Sequence, residues 1–196
     1  ECELGYHNQL MVQGWSMLAT GESRLARVAL SRLPDPPATT SWFTYVRCHD
    51  DIGWAIDDAD AGVAGVSGNG HRAFLAAYFR GDFPSSLSRG VPFATNEGTG
   101  DERTSGMTAD LVGVTAAIEA DDPAVLDIAI ARTVLLYGIA FGHGGIPIVY
   151  MGDELGQPND LDALQDPELA ADTRWVHRPV FDHDARERRY DLDSVT

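Results

Sequence analysis

The sequence predicts an α/β fold built on a parallel sheet, and three observations lead to this prediction. Two short segments, 42–48 and 146–151, are apolar at odd and even positions alike, which is typical of strands buried on both faces of a parallel sheet. Segments with apolar residues at helical spacing precede both of them. The glycine-rich, irregular segment 52–122 lies between them and indicates an insertion. Helices alternating with strands are typical of βα repeats.

Two helices are predicted before the first strand. Residues 7–19 and 23–33 carry apolar side chains at helical spacing, and Ser23 is in position to cap the second helix. The proline-rich run 34–37 ends that helix, because proline cannot continue a helix interior.

The first predicted strand is aromatic and β-branched and ends at Cys48. The insertion that follows spans about seventy residues, whereas a simple βα connection has about 2–6. It contains one clear helical patch, 71–79. Long loop layers of this kind carry function, so we expect chemistry nearby.

Regular patterning resumes with a helix over 125–141. Asp122 and Pro123 are in N-cap and first-turn positions, and the apolar residues cover nearly the whole circumference, which predicts a helix buried between layers. The predicted domain organisation has three parts: 1–51 with two helices and the penultimate strand, 52–122 as an inserted subdomain, and 123–196 with a helix, the last strand and an incomplete C-terminal unit.

The composition excludes several classes of function. The 14 basic against 30 acidic residues give a net charge of -16, so a nucleic-acid partner and an anionic membrane partner are not expected. Cys2 and Cys48 form no C-x-x-C pair, so neither a zinc site nor a disulfide framework is predicted. This use of cysteine favours a reducing, cytoplasmic location. The apolar stretch 135–151 falls short of the roughly 20 residues of a spanning helix. Glu1 in place of Met suggests a piece of something longer.

Polar residues follow the first predicted strand where it ends. In parallel α/β folds this edge binds ligands, so His49, Asp50 and Asp51 are candidates to grip a neutral polar ligand. Strand alternation would place His49 and Asp51 on one side and Asp50 on the other. The alternative is that these carboxylates are caps and loop residues on a solvated rim.

Two arginines and a second acidic pair are further candidates. Arg103 could hold a ligand hydroxyl or pair with a neighbouring carboxylate, and Arg174 could bind a carboxylate at the floor of a pocket. Trp175 beside it could be a sugar platform or core. Asp153 and Glu154, after the last strand, are expected to cap a turn or pair with an arginine rather than to catalyse.

Other patterns are weaker. Residues 68–73 fit G-x-G-x-x-A, but no predicted strand precedes them and no acidic residue follows at the distance that dinucleotide binding needs. Residues 57–62 look like a calcium loop that lacks its bidentate glutamate, and so predict a solvated acidic turn. The six histidines form no H-E-x-x-H motif, so no metal site is predicted.

Five blocks of sequence then carry a family resemblance. In their order and spacing they resemble the amylosucrases and the related sucrose hydrolases of the α-amylase superfamily, glycoside hydrolase family 13. The resemblance runs from about residue 1 to residue 189. The blocks are 46–54, 88–93, 99–106, 145–154 and 174–179.

This resemblance implies a partial (β/α)8 TIM barrel, its last strands and helices, with a long insertion after the strand that ends at Cys48. It implies retaining transfer of glucosyl from sucrose to an α-glucan, with fructose released, and no cofactor or metal. Asp50 matches the carboxylate that stabilises the transition state, and His49 its hydroxyl-binding neighbour. Asp51 and Arg103 resemble the residues that shape the fructosyl and acceptor side of the family's site. Arg174 resembles the arginine whose ion pair forms the floor of the glucosyl pocket.

The chain also departs from the family. No predicted strand of the chain carries the R-x-D nucleophile motif, and neither the acid/base glutamate nor the expected partner of Arg174 is identified in it. The resemblance therefore implies an inactive fragment whose partner is the missing N-terminal half of the barrel. The alternatives are a sucrose hydrolase or another glycosidase of the superfamily, a non-catalytic carbohydrate-binding half barrel, or a truncated product without stable function.

Overall fold

The computed structural model describes residues 3–191 and residue 194, and it is a mixed α/β structure with a small parallel sheet. The parallel sheet has the order β1-β2-β5 and is open, not a closed barrel, and β3 and β4 form a separate antiparallel pair. The strands are β1 (Leu4–Tyr6), β2 (Ser41–Tyr45), β3 (Val91–Phe93), β4 (Arg103–Ser105) and β5 (Ile146–Ile148). The helices are α1 (Asn8–Thr20), α2 (Arg24–Ser31), α3 (Asp58–Ala64), α4 (Gly68–Arg80), α5 (Thr108–Val112), α6 (Val114–Glu119), α7 (Pro123–Gly142) and α8 (His183–Arg188), with 3₁₀ turns at Asp153–Leu155, Leu161–Leu164 and Thr173–His177.

The two helices before β2 form where the sequence predicts them. α1 is buried on all sides over residues 10–16, and the indole N–H of Trp15 donates to the carbonyl of Val46 at 2.8 Å. α2 ends before the proline run, but the Ser23 side chain makes no capping hydrogen bond, so that part of the prediction is wrong. Ser23 lies in helical backbone geometry, and its side chain therefore does not face the free N–H groups of the first turn.

Strand β2 ends at Tyr45, and the prediction that it reaches Cys48 is wrong. The ladder stops because its partner β5 also ends there, with Tyr45 opposite Ile148. Arg47 instead forms a buried ion pair with Asp153, in which Arg47 Nε lies 3.0 Å from Asp153 Oδ1. The chain bends over residues 46–50, and this bend sets the geometry of the polar residues that follow.

Helix α7 begins as predicted, since Asp122 accepts hydrogen bonds from the N–H groups of Ala124 and Val125. The prediction that it is buried between layers is wrong, because only Ala129, Leu136 and Ala140 of its 20 residues are buried, although it contacts α1, α5, α6, β2 and β5. By length and composition alone, α7 could cross a membrane: its most apolar 18-residue stretch has a mean hydropathy of 1.8, and 17% of that stretch is buried. Core helices of soluble proteins can have the same length and composition. Exposed large side chains on it are Ile128, Ile130, Val134, Leu135 and Phe141.

The insertion has its own packed centre. Phe79 of α4 is fully buried, stacked on Trp54 and edge-on to Trp15, with ring centroids 5.1 Å apart in both pairs. Residues 68–70 form the first turn of α4, capped by Ser67, so no strand–turn–helix nucleotide motif exists there. Asp57 caps α3, so the acidic turn is a helix start.

His7 gives the fold a pH-dependent component. Its Nδ1 atom accepts from the N–H of Leu10 and caps α1, and burial, followed by the nearby His143, lowers the pKa of His7 to about 4. The folded chain therefore binds this proton less readily than the unfolded chain. We expect the free energy of unfolding to fall as the pH drops from 6.5 to 4, by at most about 3 kcal/mol for this residue.

Urea denaturation at several pH values measures this effect. His7→Asn retains a capping oxygen and has no imidazole, so the drop between pH 6.5 and 4 should be smaller in the variant than in the wild type. Equal pH dependence in the two proteins would show that His7 does not contribute.

Candidate functional site

A cavity of about 380 Å³ lies at the carboxyl ends of β1 and β2. The polar residues after β2 form one wall of it, and Arg103 from β4 of the insertion forms another. Four of the five candidate residues from the sequence therefore meet in one place. The lining residues are Tyr6, Asn8, Met11, Tyr45, Cys48, His49, Asp50, Asp51, Gly53, Ala55 and Arg103.

Asp50 and Asp51 both face this cavity, contrary to the alternation argument. That argument applies to extended chain, and the bend over residues 46–50 removes the alternation. His49 is exposed beside them. The consequence is that two carboxyl groups adjoin a single space.

Asp50 is ionised and held by Arg174. Arg174 Nη1 donates to Asp50 Oδ1 at 2.8 Å, while its Nε and Nη2 donate to the carboxylate of Asp172 at 2.8 and 2.9 Å. The hydrogen bond from Arg174 is the main reason that the pKa of Asp50 is lowered to about 2. The family resemblance implies a partner for Arg174 outside this chain; in this structure its partners are Asp50 and Asp172. Arg174 is not among the lining residues and reaches the site only through Asp50.

Asp51 has the opposite environment. Its side chain is 3% exposed, and Arg103 Nη1 lies 3.3 Å from Oδ2. Its buried Oδ1 receives no hydrogen bond from any residue in the described part of the chain. Burial first, and the neighbouring Asp50 second, raise the pKa of Asp51. A buried carboxylate oxygen without a donor is costly, so it is suited to accept a hydrogen bond from a ligand hydroxyl.

A buried ion pair connects the segment after β2 with the segment after β5. Asp153 Oδ1 accepts from Arg47 Nε at 3.0 Å, and Oδ2 accepts from Thr108 Oγ1 at 2.7 Å and from the Tyr137 hydroxyl at 2.5 Å. The two charged side chains are 1% and 0% exposed. Asp153 thus pairs with an arginine, as expected from the sequence, and does not reach the cavity.

The sequence reasoning missed the aromatic side of the site. Tyr6 and Tyr45 meet edge-on with ring centroids 5.4 Å apart, and the Tyr45 hydroxyl donates to Asn8. These residues lie at the ends of β1 and β2. β1 has three residues with a central glycine, which is too short for a periodicity signal. Tyr45 lies within 42–48, for which the sequence predicts only a buried strand.

Three further observations bear on the site. Within residues 3–191 and 194, no group of three or more His, Cys, Asp or Glu side chains could hold a metal ion. Cys48 is a free thiol, and Cys2 lies outside the described residues. No protein-family model matches the sequence.

Proposed function

We propose that the chain is part of an amylosucrase-like (β/α)8 barrel and supplies one wall of its sucrose site. In this proposal Asp50 stabilises positive charge in the transition state, and His49 binds sugar hydroxyls. Asp51 and Arg103 shape the side of the site that binds the fructosyl unit of sucrose. The nucleophile and the acid/base come from polypeptide outside these 196 residues, so the chain alone binds sucrose without cleaving it. The proposed location is cytoplasmic.

The open sheet and the exposed helix α7 support the barrel part of the proposal. Three parallel strands with helical connections are what consecutive units of a barrel provide. β1 and β5 are the two outer strands of the described sheet, and α7 exposes large apolar side chains. Additional barrel units would cover both features.

The observation that carries the sugar-binding part is that Asp51 lines the cavity and that its buried Oδ1 has no hydrogen-bond donor among the described residues. A sugar hydroxyl supplies the missing donor without bringing a charge. Tyr6, which also lines the cavity and is 51% exposed, offers flat apolar surface for a sugar ring. A net charge of -16 disfavours an anionic ligand and leaves a neutral one.

Arg103 also supports extension of the site toward an α-glucan. A second cavity, of about 450 Å³, is lined by Arg103 together with Gly53 and Ala55, all of which line the first cavity as well. Arg72 and Asn96 add donors there. The two adjoining cavities fit a donor sugar and a growing acceptor chain.

Calorimetric titration with sucrose tests the proposal. We expect millimolar or tighter binding and a loss of about tenfold or more in Asp51→Asn, since one charge-assisted hydrogen bond contributes about 1.5–3 kcal/mol. Asp127→Asn, an exposed site on α7, is the matched control and should bind as the wild type does. Absence of sucrose binding by the wild-type chain would contradict the proposal.

Released fructose distinguishes the alternatives. No fructose is expected from the chain alone, and turnover at the rate of a normal enzyme would contradict the assignment of the nucleophile to another polypeptide. The cavity is formed by this chain's own residues, which favours a non-catalytic carbohydrate-binding half barrel as the second candidate. That candidate predicts the same binding, but no gain of activity when the N-terminal half of an amylosucrase barrel is supplied.

A further inference from the structure

His177 lies behind the cavity in a position that the proposed function leaves unexplained. It ends the 3₁₀ turn Thr173–His177 and is 2% exposed. Its ring touches two distant segments: the N–H of Gly106 donates to Nδ1 at 3.2 Å, and Nε2 lies 3.2 Å from the carbonyl of His49.

These two contacts fix the state of the ring. A backbone N–H can only donate, so Nδ1 must carry a lone pair, and a carbonyl can only accept, so Nε2 must carry the hydrogen. The ring is therefore neutral and in a single tautomer. Burial first, and then the cation of Arg47, lower the pKa of His177 to about 4, which agrees with the hydrogen bonding.

The ring stands where a β-ladder would otherwise continue. Ile52 and Thr104 exchange both backbone hydrogen bonds, N to O distances 2.8 and 3.0 Å, as an isolated antiparallel bridge. In an antiparallel register the next such pair would be Asp50 with Gly106. The imidazole takes the Gly106 N–H instead, and the carbonyl it bonds belongs to His49, one residue before Asp50.

We propose that His177 is a positioning residue that holds the ladder open after the Ile52–Thr104 bridge, so that the Asp50 and Asp51 side chains face the cavity. This inference rests on the proposed function for its role in sugar binding, but its geometry can be tested without sugar. Without the imidazole, Asp50 pairs with Gly106, so the Asp50 carboxylate moves away from Arg174 and the Asp51 carboxylate moves away from Arg103.

Two substitutions separate the hydrogen bonds from the packing. His177→Gln retains one acceptor and one donor, whereas His177→Phe retains a flat ring with neither. Val176→Ala is the matched control, because Val176 is fully buried in the same turn and makes no polar side-chain contact. Melting curves of all variants accompany the measurements.

Amide hydrogen exchange measured without sugar is the first arm. Exchange of the Asp50 amide should slow at least tenfold in His177→Phe and stay within threefold of wild type in the other two variants. Exchange that is unchanged or faster in His177→Phe overturns the proposal, as does an equal effect in Val176→Ala.

Sucrose titration is the second arm. Affinity should fall at least tenfold in His177→Phe and remain within threefold of wild type in His177→Gln and Val176→Ala; wild-type affinity in the phenylalanine variant overturns the positioning role. If the wild-type chain binds no sucrose, the proposed function fails, while the exchange arm still decides the role of His177.

The wild-type protein gives a test that does not depend on a variant folding. Protonation of the ring puts a hydrogen on Nδ1, facing the Gly106 N–H, so the Gly106 amide and the His177 ring should shift in NMR spectra with one common midpoint below pH 6.5. The charged groups facing the ring are Arg47, Arg178 and Asp50, and His49 contacts the ring through its backbone carbonyl. A Gly106 amide that shows no step, or a step whose midpoint differs from that of the His177 ring, overturns the proposal.

Discussion

Replacing Asp153 with alanine should lower the free energy of unfolding by about 3–5 kcal/mol. Asp153 accepts hydrogen bonds from Arg47, Thr108 and Tyr137, and Arg47 is 1% exposed. Removing the carboxylate leaves a guanidinium charge buried without its counter-ion, which costs more than the loss of one surface pair. Urea denaturation followed by circular dichroism measures the change.

The adjacent carboxylate is the control for this prediction. Glu154 is exposed, and its one hydrogen-bond donor among the described residues is the N–H of Gly152, so Glu154→Ala should cost less than about 1 kcal/mol. The double substitution Arg47→Met with Asp153→Leu removes both charges and should recover most of the loss. A double variant no more stable than Asp153→Ala alone would show that the cost comes from packing and not from the unpaired charge.

Replacing Trp15 with alanine should cost about 3–5 kcal/mol, and more if the hydrogen bond to Val46 contributes separately. The Trp15 indole is 0% exposed, packs edge-on against Phe79 and donates to the carbonyl of Val46, just before the bend that carries the site. The substitution leaves a cavity where α1, the insertion and the end of β2 meet. Thermal unfolding by calorimetry gives the magnitude.

Trp175 provides the comparison for Trp15. It is 38% exposed, and its ring lies beside the Arg178 guanidinium, 5.4 Å from it. Trp175→Ala should therefore cost about 1 kcal/mol or less. A similar loss in the two variants would contradict the placement of Trp15 at the junction of the three elements.

Local patterns in the sequence were sufficient for the long elements. The helical spacing over 7–19 and the Asp122 cap before 125–141 predict α1 and α7 closely, because both signals lie within a few turns of chain. The short strands β1, β3 and β4 have three residues each, too few for a period to show. The exposure of α7 depends on which elements are present to cover it, and the residues of the helix do not encode that.

The site was partly predictable for the same reason. His49, Asp50, Asp51 and Arg103 were found by residue type and position, and the structure places them around one cavity. The end of β2 was predicted too late because Arg47 looks like one more residue of the strand. Its partner Asp153 is more than a hundred positions away, and a contact of that range leaves no local pattern. His177 was missed because its partners are backbone atoms.

The division of the cavity between two segments affects how such a site could evolve. His49, Asp50 and Asp51 belong to the end of a sheet strand, while Arg103 belongs to the insertion, which packs around its own aromatic centre. The Ile52–Thr104 bridge joins the two. Replacing or lengthening the insertion would therefore exchange one side of the cavity and leave the carboxylates in place. Selection on the Arg103 side of the cavity can then proceed separately from selection on the carboxylate side.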